Sequence, residues 1–88
     1  LSMAESMVER VAKAIVAGDS GPEGSVLFDI HWREFGDGYM KGARAAIEAM
    51  REPTDAMVDA CGANYHHYEI YDNWQAMIDA ALNEQVSG

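Results

Sequence analysis

Apolar side chains recur every three or four residues through most of this chain, a spacing that points to helices packed on one another and to little else. Met7, Val8, Val11 and Ile15 form the first stripe, together with Ala4, Ala12 and Ala14. Ser6 precedes Glu9 at capping-box spacing, and Ser2 with Glu5 repeats the pattern one turn earlier. Glu9 and Lys13 stand four apart in the favourable order, and Gly18 offers a left-handed stop. The pattern predicts a helix over about 4–17.

Residues 18–25, GDSGPEGS, read as a loop. Residues 26–35 are ambiguous. Phe28, Ile30 and Trp32 alternate with Asp29, His31 and Arg33 as in a strand, while Phe28, Trp32 and Phe35 also fit a helix. Trp32, Phe35, Tyr39, Ala43, Ala46, Ile47 and Met50 share one helical stripe, so the second helix runs from near 31, or from 38 behind an Asp37 cap, to 51. Gly36, Gly38 and Gly42 weigh against the longer version, at roughly 1 kcal/mol each relative to Ala. Pro53 ends this helix and Thr54 and Asp55 open a short third one over about 54–61, with Met57, Val58 and Cys61 on its apolar face and Gly62 closing it. An aromatic loop, ANYHHYEIY, follows over 63–71. Asp72 and Gln75 then cap a fourth helix over about 73–85, striped by Trp74, Met77, Ile78, Ala81 and Leu82.

The expected fold is therefore all-α: a single domain, 1–88, folded as a small irregular four-helix bundle of orthogonal or up-down type. Its core is assigned to Val8, Val11, Ile15, Trp32, Tyr39, Ile47, Met50, Met57, Val58, Trp74, Met77, Ile78 and Leu82. Leu1-Ser2 ahead of Met3 reads as a cloning remnant, and 86–88 should fray. At 88 residues one core is all the chain can build, and that core is modest enough for a homodimer to be a natural way of burying more apolar surface.

Charge narrows the choice of partner. Residues 1–51 hold eight acids and all six bases, whereas residues 52–88 hold seven acids and no Lys or Arg. Such a surface repels phosphate, which disfavours direct contact with nucleic acid or an anionic membrane and favours a basic protein surface. Plain solubility explains the same surplus. No apolar run approaches the ~20 residues of a membrane span, no signal peptide is visible, and the lone Cys61 fits a reducing cytoplasm.

Chemical motifs are sparse. Cys61 has His66 and His67 close behind, but C-x4-H-H is no established ligand spacing, and Cys61 on an apolar helix face reads as packing. These three residues are weak metal candidates and the centre of an alternative reading as a metal- or small-ligand-binding protein or enzyme. No cofactor or metal is expected. Tyr65, His66, His67, Tyr68 and Tyr71 have the residue types of a recognition surface, or else Tyr68 and Ile70 fold over the bundle as core cover. Asp55, Asp59 and Asp72 read as a solvated acidic face that a basic partner would contact. The glycines match no nucleotide-binding pattern.

Three ordered blocks, MVERVAKAI (7–15), ARAAIEAMREPTDAMVDA (43–60) and WQAMIDAAL (74–82), resemble small proteins of unknown function in alphaproteobacterial phages, prophages and host genomes. The resemblance covers about two-fifths of the chain and implies a small helical cytoplasmic protein, with no catalytic residues to carry over. The expected function is a non-enzymatic, acidic interaction or regulatory module. One sharper version has the acidic face occupy a protein's nucleic-acid groove as a phosphate mimic.

Overall fold

The computed structural model describes residues 5–62 and 66–84. Among them four helices follow in the order α1 (Met7–Ser20), α2 (Val26–Ala49), α3 (Asp55–Asp59) and α4 (His67–Asn83), with no strand. The all-α expectation holds. The readings made at Leu1-Ser2, Tyr65 and 86–88 lie outside the described residues.

α1 begins at the expected cap, where Ser6 Oγ accepts the Glu9 amide at 3.1 Å. It ends later than residue 17. Gly18 stays helical, and the stop is Gly21, whose φ of 107° suits only glycine and whose amide donates to the Ala17 carbonyl.

The ambiguity at 26–35 resolves as helix. Ser25 Oγ accepts the Phe28 amide at 3.3 Å, and α2 then runs unbroken for 24 residues, with Asp37 inside it rather than capping it. Packing offsets the three glycines. Phe28, Ala43 and Ile47 are buried, Trp32 stacks near Phe28 with ring centroids 6.3 Å apart, and Lys13 Nζ lies 5.7 Å above the Trp32 ring.

α3 is shorter than the expected 54–61. Thr54 Oγ1 accepts the Met57 amide at 3.2 Å, Pro53 is buried beside it, and Ala60 and Cys61 continue as a turn that Gly62 closes at φ 90°. The largest correction is at α4. It starts at His67, so most of the expected aromatic loop is helix, and Asp72 and Gln75 lie within it rather than capping it. Ile70, Trp74, Met77 and Ala81 continue one stripe at spacings of four, three and four, which gives the extra turn an apolar edge to build on.

Val8, Ala12, Ala43, Ile47 and Ile78 make the core, flanked by half-buried Val11, Trp32, Tyr39, Trp74 and Leu82. Four residues assigned to it are exposed instead: Ile15, Met50, Met57 and Met77. They lie at helical spacing, but among the described residues no helix covers their side. Val16 and Phe28, not assigned, are buried.

α1 and α2 form an antiparallel hairpin. α4 runs back along the last half of α2, tied by Arg51 to Asp79 (2.8 and 3.0 Å), by Arg44 to the Leu82 carbonyl (2.9 Å) and by Trp74 Nε1 to the Met50 carbonyl (2.6 Å). Glu84 accepts the Met7 amide at 2.9 Å. The hairpin's other end is only two helices thick. The radius of gyration is accordingly 15.8 Å, against roughly 12 Å for a compact chain of this length. No helix among the described residues is long and apolar enough to cross a membrane.

Candidate functional site

The short α3 lies against the first half of α4, and this pair has two unlike faces. On one, Asp55, Val58 and Asp59 of α3 meet His67 and Tyr71 of α4 around an open cleft of about 360 Å³. The four-residue spacings Asp55–Asp59 and His67–Tyr71 put each pair on one side of its helix. A wider hollow adjoins it, lined by His66, His67, Tyr68, Tyr71 and Asp72. The structure thus gathers Asp55, Asp59, Asp72, His66, His67, Tyr68 and Tyr71 into two hollows that share His67 and Tyr71.

Tyr71 is fixed in place. Its hydroxyl donates to Glu52 at 2.9 Å, and Gln75 donates to the other oxygen of that carboxylate at 3.4 Å. The hydrogen bond to Glu52, then loss of water, then the charges of Glu52 and Asp55 hold the phenol above its usual range of about 10. Tyr71 therefore remains a neutral donor at physiological pH. Tyr68 is 84% exposed, which corrects the reading that folds it over the bundle.

The acids here lack basic neighbours. Arg51 holds Asp79, and its hydrogen bonds depress that carboxyl below 3.8, but no Lys or Arg reaches Asp55, Asp59, Glu69 or Asp72 among the described residues. Two bases of the hairpin are paired locally: Lys13 lies between Glu5 (3.2 Å) and Glu23 (3.6 Å), and Arg10 lies 4.0 Å from Glu5. Negative potential accumulates at the α3–α4 end.

The other face is apolar. Met7, Met50, Trp74, Met77 and Ala81 border a groove of about 230 Å³, which two further hollows extend past Cys61, Ile70 and Met57. Cys61 is exposed on this face, which corrects its reading as buried packing and separates it from the hollows of His66 and His67. Among the described residues no three His, Cys, Asp or Glu side chains are grouped to hold an ion. Spacing alone assigns Met50, Met57 and Met77 to the core because an apolar stripe looks the same whether or not another helix covers it.

A scan against protein-family models finds no match, and comparison with curated proteins and with solved structures likewise returns none.

Proposed function

We propose that the chain is a non-enzymatic interaction module of the cytoplasm whose α3–α4 end receives a basic protein surface. The observation that carries this is the meeting of Asp55, Asp59, His67 and Tyr71 at one open cleft, in a half of the chain without a single Lys or Arg. Unneutralised carboxylates draw in a cationic partner from a distance and fix its orientation. A tyrosine anchored by Glu52 gives an aromatic contact that costs little entropy to immobilise, because its ring is already held. The phage or prophage setting that the sequence resemblance implies suits an accessory module of this kind. Occupation of a nucleic-acid groove is its most specific form.

The test is affinity capture from the native host by the wild-type chain and by an Asp55→Asn/Asp59→Asn/Asp72→Asn variant. The expected result is a basic protein retained by the first, released by moderate salt, and lost to the second. A partner held equally by both, and insensitive to salt, would defeat the proposal.

A further inference from the structure

We infer that the apolar groove along α4 seats one face of a basic amphipathic helix supplied by a partner protein. This rests on the α3–α4 end receiving a basic surface at the Asp55–Tyr71 cleft, and adds a second contact on the opposite face, the partner's secondary structure there and the residues that anchor it.

Shape is the first argument. Ile70, Trp74, Met77 and Ala81 line the groove along α4, a run of about 17 Å at 1.5 Å per residue. Met57 and Cys61 wall one end, and Met7 and Met50 the other. A straight apolar trough some three turns long matches the anchor spacing of a helix laid in a groove. An added strand would need an open sheet edge, and the described residues contain no strand.

Side-chain chemistry is the second. Four methionines stand at this trough, all exposed: Met7 37%, Met50 48%, Met57 40% and Met77 65%. Unbranched thioethers repack around different apolar shapes, which suits a receiving surface better than a fixed core. Trp74 supplies the rigid element, since its indole N–H is committed to the Met50 carbonyl.

Charge selects the occupant. Glu69 adjoins Ile70 at one end of the groove, Glu84 accepts the Met7 amide at the other, and neither α3 nor α4 carries a Lys or Arg, whereas Asp55, Asp59 and Asp72 line the opposite face and Asp79 is paired with Arg51. A helix with Lys or Arg beside its apolar face gains from that field. A second copy of this chain, apposed through the same face, would set one acidic half against another.

The probe is a fluorescent peptide of about 18 residues, Leu and Lys patterned at helical spacing, titrated against the full chain. Its control has the same composition reordered to leave no apolar face. The patterned peptide is expected to bind about tenfold more tightly than the control. Met77→Glu, and separately Met57→Glu on the other helix, should each remove that advantage with helical circular dichroism unchanged, and Met77→Leu should keep it. Equal binding of both peptides, unaffected by either Glu variant and lost in Asp55→Asn/Asp59→Asn, would overturn the groove and leave the acidic reading intact. Binding of neither peptide would overturn both. A doubled sedimentation mass without peptide, abolished by Met77→Glu, would assign the groove to a second copy and also overturn the inference.

Discussion

The two ends of this molecule are held together by different physics. At the hairpin end, Val16 and Phe28 are almost wholly buried, and the start of α2 is closed by a serine cap. At the other end, Ile78 is the one buried residue of α4 among those described, and the helix is fastened mainly by polar ties from Arg44, Arg51 and Trp74. Burial gives the hairpin rigidity. Exposed polar fastenings contribute less each, so α3 and α4 are the more adaptable half. The proposed contact surfaces lie on this half.

Substitutions should break that contrast if it is wrong. Phe28→Ala removes the largest buried side chain of the hairpin and is expected to cost about 3–5 kcal/mol, enough to unfold much of a domain this small, as read by urea denaturation. Ile78→Ala should cost about 2–4 kcal/mol and free α4 first, so that hydrogen exchange speeds in α4 before α1. Equal losses of protection in all helices would merge the two ends into one cooperative unit. Trp74→Phe leaves the Met50 carbonyl without its indole donor at about 1 kcal/mol, and the last turn of α2 should fray with it in exchange measurements.

How much of this was legible beforehand varies along the chain. The Ser6 cap was plain because a capping box depends on residues three apart, and the Thr54 start because Pro53 closes the helix before it and Thr and Asp suit a first turn. α2 was half-hidden, since Gly36, Gly38 and Gly42 argue locally against a helix that Phe28, Ala43 and Ile47 stabilise through contacts with α1 and α4. The start of α4 was hidden by its composition: histidines and tyrosines suggested a loop, although Ile70 already continued the stripe from Trp74. The site was legible residue by residue but not as an arrangement. Asp55 and Asp59 could be paired from their spacing, whereas their meeting with His67 and Tyr71 depends on how α3 folds against α4. Nothing in the spacing revealed that Met50, Met57 and Met77 would face solvent.

Two smaller effects sharpen the contrast further. A Cβ at Gly38 or Gly42 meets nothing within 4 Å, so alanine at either position should raise stability by about 0.5–1 kcal/mol, a shift in the direction opposite to those above. The smallest effect concerns acid. Arg51 hydrogen bonds hold the Asp79 carboxyl below 3.8 in the folded state, so its contribution is complete above that value and fades as pH falls through the depressed one. Acid below the ordinary carboxylate range should therefore loosen α4 before the hairpin, and Asp79→Asn should flatten that part of the pH profile, followed by α4 amide exchange.

The position of the α2 glycines has a mechanical consequence. Gly36, Gly38 and Gly42 fall where α2 passes from the two-helix end to the part that α4 covers, and the alanines at 45, 46 and 49 follow immediately. The longest rod in the molecule is thus stiffest near its finish and most compliant at its middle. Within α2, a bend that tilts one end against the other meets least resistance at that midpoint, and α1, packed along both sides of it, is what opposes the movement.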